Sequence, residues 1–457
     1  MTAPHPPRPL QVPSAPSRLL AGWGRVAPSR ARVSGLLDAQ ALAELVVSAP
    51  PGGLLARGAG RSYGDAAQNE GGVVLHPVTE SRVEIDLDGA RLRASASTTF
   101  TELLARTVPL GLLPPVLPGT RHLTIGGAVA ADVHGKNQHA DGSISDWIEE
   151  IKLLAGDGSV RSVLPCTQAF RATVGGMGLT GVILAVRLRL LRIHSARLAV
   201  TSRRFADLDA LLAAQDHPGT RYAVAWVDMS ATGGSLGRGV LDAGDHLSEP
   251  DPRTESGGPS YRPGHPPLAP ALPVCPVTPW TARAFNAAWY LASPGGRTAV
   301  LGIPGYFHRL DAVRDWNRAL GRHGFLQYQF AVPQGEERVI GRAIELLQRG
   351  GAAAFLGTLK RFGPASGNYL SFPGPGWSLA VDMPAGRPGL RAVLDDLDRL
   401  VADAGGRVYL AKDARLSRAA FARMYGDLEE WRAARAELDP AQTFRSDLGR
   451  RLGLVDR

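Results

Sequence analysis

Lysine is nearly absent from this chain. Of its 51 basic residues, only Lys136, Lys152, Lys360 and Lys412 are lysines, and the other 47 are arginines. Cysteine is scarcer still: Cys166 and Cys275 alone cannot build a disulfide framework or a thiolate metal centre. No apolar run approaches the roughly 18 residues of a membrane-spanning helix. The segment up to Ser17 is rich in proline and lacks the apolar core of a secretory signal, so no secretory leader is expected. His134 and His139 stand outside helical i, i+4 spacing and no carboxylate cluster accompanies them, so no metal site is expected. The net charge of +9 is spread along the chain without interleaved aromatics, which argues against nucleic acid as a partner.

What remains is a chain of 457 residues, 44% hydrophobic and 20% charged. It can bury a real core and fill two or three domains of roughly 150 residues each. With 54 glycines and 35 prolines alongside, arginine in place of lysine reads as compositional bias. That bias gives weight to the surviving lysines, because a buried lysine can lose its proton and an arginine cannot. Lys136 lies in a glycine cluster, Lys360 ends a strand pattern and Lys412 follows Tyr409. Lys152 sits in a strand pattern without such company.

Short apolar runs at 54–56 and 73–75 predict strands. Val83, Ile85 and Leu87 alternate, Asp88 and Gly89 make a turn, and Leu92, Ala94 and Ala96 alternate again, which is a hairpin over 82–97. Thr99 and Glu102 form a capping box for a helix reaching Thr107. Residues 151–163 repeat the hairpin around Gly156, Asp157 and Gly158, and alternation from Val182 to Leu190 closes this region near residue 193. Strands and helices mix without a regular βαβ repeat, so the fold class is α+β and not a doubly wound sheet. Beyond residue 196 the pattern predicts strands over 222–228, 299–301, 325–332, 353–360 and 378–382. Helices are expected over 208–214, 311–320, 340–347 and 390–404, giving a second sheet with helices on one face. Ten of the 35 prolines lie between Pro250 and Pro279, so 245–279 is expected to be a mobile loop without helix or interior strand. Two helices, over 417–425 and 428–438, end the pattern.

Three glycine clusters stand apart from this grammar. The first, around Gly58, Gly60 and Gly64, directly follows a strand, and glycines there let backbone N–H groups approach an anion closely. It misses the Rossmann spacing, because the third glycine is one position late and no helix pattern follows. Gly60, Ser62 and Gly64 also match G-x-S-x-G, as do Gly233, Ser235 and Gly237. Without a following helix neither reads as a hydrolase elbow. The second cluster runs from Pro118 to Asn137, where Gly126 and Gly127 open a stretch of small residues whose helix N-terminus would suit a diphosphate. The third, Gly175, Gly176, Gly178 and Gly181, opens the strand at Val182. Ordinary turns explain each cluster singly; all three in one α+β region suit a large dinucleotide lying across it.

The longer runs at 57–69, 124–137, 175–181, 325–330, 370–377, 409–413 and 439–447 together resemble the decaprenylphosphoryl-β-D-ribose 2-oxidase family. That family belongs to the vanillyl-alcohol-oxidase type of FAD proteins, and the resemblance covers nearly the whole chain. It implies a flexible tail at 1–14 and a two-subdomain PCMH-type FAD-binding domain over 15–195. A substrate (cap) domain on an antiparallel sheet is inserted over 196–410, and 411–457 returns to the FAD domain. Implied FAD contacts are Arg57, Gly58, Ala59, Gly60, Arg61, Ser62, Tyr63, Gly64, Asp65, Ala66 and Ala67 in the first cluster. Gly119, Thr124, Ile125, Gly126, Gly127, Ala131, Asp132, Val133 and His134 follow in the second, with Ile183 and Tyr409. Catalytic roles fall by resemblance to Lys412, His134 and Tyr63. Substrate contacts fall to Lys136, Trp226, Gln327, Gln329, Lys360, Phe362, Ser378 and Ala380.

The implied reaction is FAD-dependent oxidation of the C2 hydroxyl of a ribose on a polyprenyl phosphate to the 2-keto sugar. This is the first half of an epimerisation towards the arabinose donor of cell-wall arabinan. A short-chain keto-reductase would act on the product, and quinone or oxygen would take the electrons. The basic surface fits peripheral association with an anionic membrane, expected from the cytoplasmic side, with the periplasmic face as the alternative. Removing hydride from a carbinol carbon requires a base for the hydroxyl proton. A lysine serves near neutrality once burial and neighbouring cations lower its pKa by roughly two to three units. Lys412 is the expected base or relay, His134 and Gln329 would orient the sugar, and Lys136 or Lys360 would lie near anionic groups.

Two departures from the family pattern matter. Arg61 stands where many superfamily members carry the histidine that binds FAD covalently, so non-covalent FAD is expected. Ala380 stands where some relatives carry a cysteine, and Ser378 where they carry asparagine, so thiol-directed inhibitors have no target there. The competing enzyme reading is an FAD-dependent alditol or aldonolactone oxidase acting on small polyols. The non-enzymatic one is a basic nucleic-acid-binding or scaffold protein.

Overall fold

Period-two alternation builds most of the molecule. A computed structural model describes residues 16–249, 261, 263–293 and 295–456; the expected tail at 1–14 and part of the expected loop at 245–279 lie outside them. In the first sheet, Leu54–Ala56 and Ser29–Ser34 pair in parallel with Val73–Leu75, and Ser17–Leu20 adds antiparallel to Ser29–Ser34. A five-stranded antiparallel sheet follows, ordered Val83–Asp86, Arg91–Ser95, Val182–Arg189, Ile148–Leu154 and Val160–Val163. The capping box on Thr99 and Glu102 is present.

The larger sheet has eight antiparallel strands. Their order is Arg297–Gly302, Arg197–Phe205, Gly239–His246, Tyr222–Val227, Leu356–Phe362, Gly376–Pro384, Phe325–Pro333 and Arg407–Val408. Tyr328, Phe330, Leu359, Leu379 and Val381 are buried on the face covered by helices. There Tyr328 donates to Asp398 of the Leu390–Asp403 helix at 2.9 Å, and Gln215 of the Leu208–Asp216 helix donates to the Leu359 carbonyl at 2.9 Å. The α+β architecture, with helices on one face of an antiparallel sheet, is therefore the expected one.

The C-terminal segment returns to the first sheet. Leu54 bridges to Phe444, and Trp431 of the Leu428–Leu438 helix donates to the Ala172 carbonyl at 3.1 Å. Arg435 and Asp439, both buried, pair at 3.2 Å beneath that contact.

One expectation fails locally, and one helix was not foreseen. The helix over 311–320 is instead two short 3₁₀ turns, Arg309–Ala312 and Trp316–Leu320, separated at Asp315, which is left-handed at φ +51°. In the proline-rich region, Ala269 and Arg314 hold a paired extended segment against those turns. A helix then begins at once, Pro279–Ala292. Thr278 caps it and Pro279 occupies its first turn, where a missing N–H costs nothing; proline density hid a start signal.

Candidate active site

Three neighbouring strands of the large sheet turn one face towards a cavity. Gln327 lies opposite Asp382, and Asp382 opposite Leu356; Gln329, Ala380 and Thr358 form the next row. Lys360 pairs with Ser378 one row further. Residues two apart share a face, so all eight side chains line the same cavity, while Tyr328 and Phe330 point back into the helices.

From the opposite side comes the segment 409–413. Tyr63 N donates to the Ala411 carbonyl at 2.9 Å, which lays the Lys412 ammonium 3.7 Å from the centre of the Tyr63 ring. Gly64 is required at this crossing, since a Cβ there would meet the Asp413 carbonyl at 2.0 Å. Arg451 fixes the crossing from behind, bonding Asp65 at 2.7 and 2.8 Å and Asp413 at 2.8 Å.

Lys412 is half-buried with its remaining surface towards the cavity, and desolvation drives its pKa down to about 7. Nearby Asp382 holds it up against that fall and Lys360 adds to the fall. Burial pushes the Asp382 carboxyl up, opposed by Gln327, which donates to both its oxygens at 2.9 and 3.0 Å. Burial also lowers Lys360 to about 8. His134 is buried, and desolvation with Lys360 beside it keeps the imidazole neutral, well below its ordinary value. The His134 Nε2 lies 3.0 Å from the Gln329 amide nitrogen, which also donates to Ser378 Oγ at 3.2 Å. The ring is wedged edge-on against Phe362 and beside Phe372 and Tyr409. Two lysines, one neutral imidazole and one carboxylate of raised pKa thus share a cavity, the setting in which acid–base chemistry is tuned.

The remaining wall is built from small residues. Gly58, Ala59, Gly60, Arg61, Ser62, Tyr63, Ala66 and Ala67 line it with Gly119, Gly127, Ala131, Val133 and Gly178. Gly60 is left-handed at φ +64°, and a Cβ there would strike the Arg57 guanidinium. That guanidinium stitches the loop by donating to the Ala67 and Ala21 carbonyls at 2.6 and 2.8 Å. At Gly119 a Cβ would meet no protein atom within 4 Å. Arg61 stacks 4.2 Å above Trp23, its Nε is buried without a partner, and Asp315 is 3.9 Å away. A guanidinium whose buried Nε lacks a hydrogen-bond partner, on a wall of backbone and small side chains, fits the anionic diphosphate of a dinucleotide.

Several residues singled out in the sequence stand behind the lining. Lys136 donates to the Tyr306 carbonyl and sits 3.9 Å from the centre of that ring. Phe362 reaches the site only through His134. Trp226 lies opposite Thr358 on the adjacent strand and does not reach the cavity wall. Thr124 caps the Ile125–Ala130 helix, and Ile125 and Gly126 are packed beneath it on Thr98 and Ala96. Asp132 accepts from Ser371, Ser366 and Ser145, Ile183 is buried in its strand, and Arg57, Gly64 and Asp65 hold the loop as described. Asp382, Thr358, Trp23 and Trp316 line the cavity and were missed. For Asp382 the signal was there, one alternation beyond Ser378 and Ala380. Among the described residues no three histidine, cysteine or acidic side chains converge on a metal position.

Comparison with known proteins bears on this geometry. Residues 38–164 match the FAD binding domain family. The chain is 36% identical to decaprenylphosphoryl-β-D-ribose oxidase of Mycolicibacterium smegmatis, over 97% of this chain and 99% of that protein. It is 40% identical to an uncharacterized protein of Streptomyces coelicolor, over 78% of this chain and 100% of that one. Alditol oxidase of a Streptomyces species is 26% identical over 38% of this chain and 42% of its own.

Proposed function

The chain belongs to the decaprenylphosphoryl-β-D-ribose oxidase family and is an FAD-dependent oxidoreductase; from that premise we propose how its residues divide the work. The substrate is a polyprenyl-phosphate-linked ribose, oxidised at its C2 hydroxyl to the 2-keto sugar. The observation that carries this reading is the convergence of Lys412, His134 and Gln329 on a cavity whose other wall suits a dinucleotide. The small-residue wall from Gly58 to Ala67, with Gly119, Gly127, Ala131 and Val133, would hold FAD, and Arg61 would face its diphosphate. FAD, when bound, supplies the hydride acceptor.

Lys412 takes the hydroxyl proton. Its lowered pKa leaves a usable neutral fraction near pH 7, and Asp382 beside it receives or returns that proton. Gln327 keeps the carboxylate aimed into the cavity. His134, held neutral, offers a hydrogen bond to the sugar without adding charge, and Gln329 fixes its ring. Lys360 is the cation placed to meet an anionic group. Tyr63 bounds the Lys412 ammonium and excludes water from it. We read the first 195 residues with the C-terminal segment as the FAD unit, and the large sheet as the substrate unit. A short-chain reductase would consume the keto sugar, and quinone or oxygen would reoxidise the flavin.

Anaerobic mixing decides the substrate. Polyprenylphosphoryl ribose should bleach the flavin within the mixing experiment, and xylitol or gulonolactone should not. Bleaching by the small polyols alone sinks this reading and favours an alditol oxidase. With arginine at position 61, the FAD should leave with the supernatant when the protein is denatured; a yellow pellet would contradict a non-covalent site.

A further inference from the structure

The Pro279–Ala292 helix is built inside out. Its protein-facing stripe is Ala282 and Asn286, both buried, continued by half-buried Tyr290. Tyr290 donates to the Phe205 carbonyl at 3.2 Å and lies beneath the Arg204 and Arg238 guanidinium groups. The large apolar residues point the other way: Trp280 is 81% exposed, Leu291 71% and Phe285 56%, with Trp289 beside them. A helix that packs normally does the reverse, as the Leu390–Asp403 helix does by burying Leu390, Leu394, Leu397 and Val401. Phe285 and Trp289 stack on each other at 6.2 Å, and large apolar side chains left exposed in this way mark an interaction surface.

Its charge identifies the occupant. From Pro263 to Phe307 the chain contains two arginines, Arg283 and Arg297, both exposed, and no acidic residue. Exposed tryptophan and phenylalanine with a cationic rim suit the boundary between acyl chains and anionic headgroups. The patch also adjoins the cavity. Val277 packs against the small core of Tyr63, Leu320 and Phe325, of which Tyr63 lines the cavity, and Thr278 caps the helix directly after it. Leu310 lines the cavity and is itself 45% exposed.

We propose that this helix docks the protein on an anionic lipid surface, so that the cavity opens where a lipid-linked sugar would arrive. The choice of substrate rests on the reading above, but the docking surface does not.

The test therefore measures binding without substrate. Flavin-loaded protein is sedimented with phosphatidylcholine vesicles, with and without phosphatidylglycerol. The wild type should sediment with the anionic vesicles, less so as salt is raised, and its tryptophan emission should shift to the blue. Combined Trp280→Ser, Phe285→Ser and Leu291→Ser should lower the bound fraction about tenfold or more with flavin content unchanged. Arg283→Gln with Arg297→Gln, which spares the aromatics, should weaken binding to anionic vesicles and flatten the salt dependence. A wild type that stays in the supernatant overturns the proposal, as does a triple variant that binds undiminished. A dimer in free solution that the triple variant splits overturns it too, by assigning the face to a second copy. Vesicle binding by a protein that oxidises only xylitol would sink the substrate and leave the docking surface standing.

Discussion

The wall formed by the glycine loop, residues 118–120 and residues 130–134 presents backbone and small side chains to the cavity. The wall formed by the three sheet strands and Lys412 presents two amides, a carboxylate, two hydroxyls and two amines. The first is specified by what must be absent: a Cβ at Gly60 or Gly64 collides with the chain itself. The second is specified by what must be present, and by which face of a strand it occupies. A backbone wall suits a group that never varies, whereas a side-chain wall can be changed one residue at a time without disturbing the fold. Flavin retention and sugar chemistry should therefore be separable by mutation.

The largest expected effect is on the side-chain wall alone. Lys412→Ala should slow flavin reduction by substrate by about 10²–10⁴-fold, the usual worth of a positioned base, while the purified protein stays yellow; near-normal reduction in a rapid-mixing experiment removes Lys412 from the role. Gly119→Trp addresses the other wall. Its side chain enters open space, so the fold should persist by circular dichroism while flavin content drops by about an order of magnitude. Flavin retained in full would mean that this space is not cofactor space.

A smaller effect tests the coupling between Lys412 and Asp382. Flavin reduction should rise with pH through about 7, as Lys412 loses its proton. Asp382 raises the Lys412 pKa, so removing its charge in Asp382→Asn should move the rising limb to lower pH. A limb that stays put, or moves up, contradicts the pairing. The smallest change lies behind the wall: Tyr328→Phe deletes the bond to Asp398 and should cost roughly 1–2 kcal/mol of stability with flavin content and reduction rate unchanged. Altered kinetics in that variant would show that the two faces of the sheet are not independent.

The two walls also differed in how they could be read. Glycine clusters are visible in one dimension, because a missing side chain is a local fact about the backbone, and the first cluster does line the cavity. Residues such as Thr124, Gly126 and Asp132 shared those runs yet pack underneath, since a motif marks a segment and not the direction of each side chain. On the sheet, the family resemblance named Gln327, Gln329, Ser378 and Ala380, and strand alternation carried one step beyond Ser378 and Ala380 reaches Asp382. The strands Arg197–Phe205 and Gly239–His246 went unread because their faces carry Thr201, Ser202, Asp242 and Asp245 among glycines and arginines, which blurs the pattern. The Pro279–Ala292 helix was hidden by the prolines before it, and the break at Asp315 depends on tertiary packing that no local signal reports.

Arg451 belongs to both walls at once. One guanidinium, six residues from the end of the sequence, grips the carboxylate of the glycine loop and the carboxylate beside Lys412. A single substitution at Arg451, outside the cavity lining, would therefore loosen the glycine loop and the Lys412 segment together.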